Sequence, residues 1–222
     1  MAEPLDLGRT EGIDAPAPPG DGPVRDLLRE ALARYTPESL EVDAGLAAAG
    51  VLLLIYDHAE GPHIVFQKRT EHVRDHKGQI SFPGGAMDPE DETVLHTALR
   101  ETHEEIGVHP DDVDVLGQLD DMVTVSNYRV TPYVGWLKRY PYEWTFSDIE
   151  VAYLLEVPLQ HLLHPETLVP DRRLINGREY VFSSYRWGDD LIWGATARML
   201  TNLLDIVASL PGMPGPGTRP RG

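Results

Sequence analysis

Three glutamates carry the strongest chemical signal in this 222-residue chain. Glu101, Glu104 and Glu105 stand at i, i+3 and i+4. On a helix, at about 100° per residue, they fall within roughly 100° of arc and share one face. Carboxylates that close repel one another. No lysine is interspersed to relieve them, and the nearest base is Arg100, directly before the cluster. Hard oxygen ligands on one rigid face suit Mg2+ or Mn2+, and an ion held there could in turn hold a diphosphate. From Asp88 to Asp121 there are twelve acids and a single arginine, which makes the region a sink for cations. A bare Glu-x-x-Glu-Glu is most often a solvated acidic face. The setting distinguishes this one: Gly84-Gly85 precedes the helix, Arg-Glu falls at 100–101, and Ile-Gly-Val closes it at 106–108.

Immediately upstream, KRTEHVRDHKGQISFPGG places Lys68, Arg69, Arg74 and Lys77 within ten residues, with His72 and His76 among them. Beside a metal-binding acidic helix, such a basic island could grip further phosphates of a polyanionic substrate. On composition alone it reads more readily as a solvated loop, and the spacing of its residues is what favours function.

These residues need a scaffold. Val24–Tyr35 has helical spacing at Leu27, Leu28, Ala31 and Leu32. Leu46–Tyr56 and the segment HIVFQKR read as two strands joined by a turn. Thr93–Ile106 is the strongest helix, with an apolar stripe at three- and four-residue steps, the acidic run DPEDE ahead of it, and Gly107 where a left-handed cap belongs. Strands follow in VDVLGQL, MVTV, YRVTPYVGWL and EYVFSSYRW, and Leu191–Leu210 reads as a closing helix. Glu150–Leu163 is ambiguous between helix and strand, and Trp193 is expected in the core. Strands on both sides of one central helix, with helices at both ends, predict a mixed α/β sandwich. We divide the chain into a tail at 1–22, one domain at 23–210, and a Gly- and Pro-rich tail at 211–222.

The stretch from Gly84 to Val108 resembles the Nudix box: Gly, five residues, Glu, seven residues, Arg-Glu, an apolar residue, one more, Glu-Glu, one more, Gly, an apolar residue. Glu92, Arg100, Glu101, Glu104, Glu105, Gly107 and Val108 fit in register, with Thr102 at the apolar position. Counting back from Glu92 reaches Ala86 and not Gly85, so either the loop holds one extra residue or Asp91 takes the role of Glu92. The resemblance implies an α/β/α sandwich with a mixed sheet, dependence on a divalent metal held by Glu101, Glu104 and Glu105, and hydrolysis of a diphosphate linked to another moiety. Arg100 and Glu92 would then orient the helix and its loop by a salt bridge. The upstream residues Arg69, Thr70, Arg74, Gly78 and Phe82-Pro83-Gly84-Gly85 resemble the motif of the coenzyme A pyrophosphatase branch of that family. This implies cleavage of coenzyme A or a derivative to 3′,5′-adenosine bisphosphate and 4′-phosphopantetheine. Arg69, Arg74 or Lys77 would recognise the remaining phosphate, and Gly84 and Gly85 would line the substrate. Nudix enzymes often draw a base or an extra ligand from a loop after the box, and Glu150, in FSDIEVAYLLEVPL, is the candidate. The alternatives are a diphosphatase for ADP-ribose, a dinucleotide or a nucleoside triphosphate, and a non-catalytic ligand sensor.

Composition sets the bounds. Nineteen basic and 36 acidic residues give a formal net charge of −17, which argues against bulk binding to nucleic acid or anionic membrane; the small-molecule partner is what the resemblance implies. There is no cysteine, so disulfides, thiolate metal sites and Cys nucleophiles are excluded. The N-terminus has neither the basic start nor the apolar stretch of a secretory leader, and the longest apolar run is far below the roughly 20 residues of a spanning helix. A cytoplasmic protein is expected, and base rates favour a homodimer.

Overall fold

The computed structural model describes residues 24–40, 45–71, 77–175 and 177–213. The helices are α1 (Val24–Arg34), α2 (Val94–Ile106), α3 (Leu159–Leu163) and α4 (Gly194–Val207). The strands are β1 (Ala47–His58), β2 (Gly61–Arg69), β3 (Ile80–Ser81), β4 (Gly84–Ala86), β5 (Val113–Gln118), β6 (Met122–Val123), β7 (Tyr128–Leu137), β8 (Val151–Pro158), β9 (Leu168–Ile175), β10 (Arg178–Trp187) and β11 (Asp190–Ile192).

β1 organises the main sheet. Its long apolar run is buried on both faces, as a central strand requires. Leu53 and Ile55 point into a core with Leu28 and Leu32 of α1 and Leu200, Leu203 and Leu204 of α4. Leu52, Leu54 and Tyr56 point the other way, against Ala98 and Ile106 of α2. The period of two along one strand thus separates two helical layers and produces the expected α/β/α sandwich. The sheet is mixed. β1 runs parallel to β7 and antiparallel to β2 and β4. Its main path is β3-β2-β1-β7-β5, with β8 paired to β2 and β6 to β7. β9, β10 and β11 form a second, three-stranded sheet.

α2 has defined ends. The Thr93 hydroxyl accepts from the His96 amide at 3.0 Å, and Gly107, at φ 77°, closes the helix with its own amide on the His103 carbonyl. The helix lies close to β1 because Gly50 has no side chain: a Cβ there would collide with the Val94 carbonyl. Thr102, at a position where an apolar residue was expected, is fully buried and donates its hydroxyl to the Ala98 carbonyl at 2.6 Å, which removes the penalty for a polar group there.

Several boundaries differ from the sequence reading. The ambiguous segment after Glu150 becomes strand β8 followed by the single turn α3. The closing helix starts three residues later than expected, because Leu191 and Ile192 pair with β10 across the turn at Gly188. β9 was not foreseen: LVPDRRLI holds a proline and three charges and alternates poorly, as an edge strand can. Trp193 is a correction. It caps α4 from outside the helix's apolar stripe, is 38% exposed, and carries the Arg173 guanidinium 5.3 Å from its ring centre. No helix among the described residues is long and apolar enough to cross a membrane.

Candidate active site

α2 presents its glutamates to the rim where β4 and the end of β2 meet. Glu105 is the innermost. Its carboxylate accepts from the Gly84 amide at 2.8 Å, from Gln67 Nε2 at 2.7 Å and from Arg69 at 3.3 Å. Even so, burial raises its pKa to about 7, because removal from water disfavours the charge more than these donors restore it. Glu101, one turn earlier, is half-buried, and burial raises its pKa as well, with Arg100 opposing. Glu104 is the outermost, its side chain 58% exposed. The shared face is therefore graded from the interior to solvent.

The two glycines of the turn make this arrangement possible. Gly84 sits at φ 148°, outside the range of ordinary side chains, and a Cβ there would strike the Gly50 carbonyl. A Cβ on Gly85 would lie 2.5 Å from the Glu101 carboxylate carbon. Both glycines thus serve the glutamates directly: one donates its amide to Glu105, and the other leaves room for Glu101.

Arg100 holds the outer side. It grips Asp91 through two hydrogen bonds of 3.0 and 2.9 Å, and reaches Glu101 at 2.9 Å and Glu104 at 3.1 Å. Asp91 is buried and also accepts from the Thr97 hydroxyl and the Asp88 amide. The bond from Arg100 holds the Asp91 carboxyl far below the usual carboxylate range. The role expected of Glu92 therefore falls to Asp91. Glu92 is exposed, and the one-residue offset of the loop turns Asp91 inward in its place.

The basic segment is only partly in view. Arg69 closes on Glu105, with its Nε buried and without a hydrogen-bond partner among the described residues. Lys77 is exposed in the turn before β3. Arg74, His72 and His76 lie outside the described residues. Glu150 ends the turn that precedes β8 and is exposed, and its carbonyl accepts from the Thr70 amide at 3.0 Å. This brings its backbone beside the residue that follows Arg69. Gly107 acts as the helix cap, and its bare Cα packs closely against Thr145.

The sequence from 46 to 185 matches the NUDIX domain. The chain belongs to the Nudix hydrolase family. It is 39% identical over 165 residues to the "Uncharacterized Nudix hydrolase NudL" of Yersinia pestis (strain Pestoides F), covering 72% of this chain and 79% of that protein. The same figures hold for the protein of that name from Yersinia pseudotuberculosis serotype I. Among solved structures, RenU, a Nudix hydrolase from M. smegmatis, is 23% identical with a TM-score of 0.45, covering 55% of this chain and 80% of that one. A MutT/nudix family protein from Enterococcus faecalis is 14% identical with a TM-score of 0.49, covering 80% and 66%.

One residue of the Nudix site escaped the sequence reading. Gln67 is 1% exposed and donates to Glu105 from mid-strand. Its signal was available: a neutral amide at the end of the apolar run Ile64-Val65-Phe66 has no place in a core unless something there needs its hydrogen bonds.

Proposed function

We propose that this Nudix hydrolase cleaves the diphosphate of coenzyme A or a derivative, giving 3′,5′-adenosine bisphosphate and 4′-phosphopantetheine, with Mg2+ or Mn2+ held by Glu101, Glu104 and Glu105. One observation supports the substrate above the others. Arg69 and Gly84, near the two ends of the upstream motif, both bond to Glu105. The segment that resembles the coenzyme A branch is thus built into the wall of the glutamate site.

The donor set fits a hard divalent ion. Glu101 and Glu105 are oxygen ligands on one helix face, and burial has already raised the pKa of each. Such an ion, when bound, would neutralise charge on the diphosphate oxygens. The chain's own groups supply the rest. Gln67 and the Gly84 amide fix the direction of the Glu105 carboxylate. Arg69 places positive charge at the same rim, where an anionic substrate must approach. Glu150, on the turn beside Thr70, is proposed to accept the proton of the attacking water. Arg69, Arg74 and Lys77 are proposed to recognise the 3′-phosphate. The reading places the protein in the cytoplasm, acting on a small molecule and on neither nucleic acid nor membrane, in keeping with its charge of −17 and its lack of cysteine. A homodimer remains the proposed state.

A panel of coenzyme A, its dephospho form, ADP-ribose and reduced NAD, with Mg2+ or Mn2+ and products identified by mass, tests the reading. Coenzyme A is expected to turn over fastest. Faster release of product from ADP-ribose or the dinucleotide would reassign the substrate, and binding without turnover would make the domain a sensor. Neutralising Arg69, Arg74 and Lys77 together should erase the preference for coenzyme A over its dephospho form. An unchanged ratio removes them from phosphate recognition. Glu150→Gln should lower kcat and leave metal affinity intact.

A further inference from the structure

The turn between β1 and β2 gathers a second set of metal-ligating groups. His58, Glu60 and His63 each offer a ligand atom, and these atoms all lie within 4.8 Å of one another. We propose that this hairpin binds a transition-metal ion of the Zn2+, Co2+ or Ni2+ class, independently of the glutamates on α2.

The pairing of the strands creates the site. His58 pairs with Gly61 and Tyr56 with His63, so His58 and His63 are diagonal neighbours on one face of the sheet. Their ring centres are 4.5 Å apart. Glu60, at the turn, supplies a carboxylate from the loop that joins them.

The histidines are prepared for ligation. His63 Nδ1 lies 2.9 Å from the Gly61 carbonyl, which can only accept, so Nδ1 donates and the lone pair of the neutral ring resides on Nε2. A backbone carbonyl on the non-ligating nitrogen is the usual outer support of a metal-binding imidazole. His58 Nδ1 accepts from the Glu60 amide at 3.2 Å, a long bond that an ion can displace. The rings are also held from behind. Tyr56 stacks on His63 at 5.7 Å and on Tyr140 at 4.2 Å, and Tyr140 meets His58 edge-on at 5.7 Å. Tyr56 is itself fixed by donating its hydroxyl to Glu156.

Two imidazoles and one carboxylate select borderline ions over Mg2+. Three protein ligands leave a coordination position open for water. One ion cannot serve both places, since His63 lies four residues along β2 from Gln67, about 13 Å at the usual rise per residue.

Zinc titration of the full chain in millimolar Mg2+ tests the proposal, because Mg2+ competes for the glutamates and not for imidazole. One Zn2+ per chain is expected, with an increase in Tm. His58→Ala and Glu60→Gln, both at accessible positions, should each weaken binding by at least about tenfold and leave hydrolysis without zinc unchanged. His164→Ala, a histidine elsewhere on the surface, should leave zinc affinity as it was. A Co2+ spectrum with imidazole-type bands, lost in His58→Ala, would add support without relying on affinity. Zinc that Mg2+ displaces, or affinity unchanged in both hairpin variants, overturns the site.

Discussion

On the inner flank of the Nudix helix, Glu105 is surrounded by an amide, a glutamine and one arginine at 3.3 Å. On the outer flank, Arg100 is divided among Asp91, Glu101, Glu104 and, at 3.6 Å, Asp88. Both flanks are made of carboxylates, yet they behave in opposite ways. The inner carboxylate is pushed up to about pH 7, since desolvation exceeds the help of its donors. Asp91 is pushed well down, because a two-pronged guanidinium compensates its burial. The difference teaches a division of labour. The outer flank is complete in itself and fixes the loop to the helix. On the inner flank a single arginine at 3.3 Å leaves the burial of Glu105 under-compensated, the condition that the proposed divalent ion would relieve.

The sharpest way to break this contrast is to remove charge at the inner end. Glu105→Gln keeps the size of the side chain, so the fold should persist, while turnover should fall by on the order of 10²-fold or more. Glu104→Gln, at the solvent end of the gradient, should cost less. Steady-state kinetics of both, beside circular dichroism, make the comparison, and equal losses would deny the gradient.

Gly85→Ala sharpens it differently. The new methyl would meet only the tip of a flexible glutamate, so Glu101 can swing aside at small cost in stability. The expected result is a loss of activity out of proportion to the change in Tm. A variant destabilised but active per folded molecule would show that Glu101 is not a ligand.

On the outer flank the effects should appear in stability. Asp91→Ala leaves Arg100 without its main partner and should cost about 3 kcal/mol, read by denaturant unfolding. Glu92→Gln should stay within about 0.5 kcal/mol. The sequence left these two acids as alternatives, and the choice depends on which one the loop turns inward, a matter of one residue that no helical periodicity can decide.

Much else was legible for a simple reason: the period of 3.6 placed three glutamates together, and Gly107 marked the helix end. Strand β7 and the β1–β2 pair were likewise visible as apolar runs between turns. The edge strand β9, the core position of Gln67 and the surface position of Trp193 were not. Each is set by what lies across from it in space, on a neighbouring strand or helix, and local pattern carries no record of that.

The outer flank should also make stability depend on pH. Asp91 has a lowered folded-state pKa, so its contribution is fully present above its unfolded value, near 3.9, and is lost as pH falls toward the folded one. Replacing it by asparagine removes that titration while preserving shape. The Tm of wild type should exceed that of Asp91→Asn by a constant amount from about pH 5 to 7, and the two curves should approach one another below about pH 4. A gap that persists undiminished toward pH 2 would mean that Asp91 contributes through packing and neutral hydrogen bonds, and that Arg100 secures the loop by its other partners.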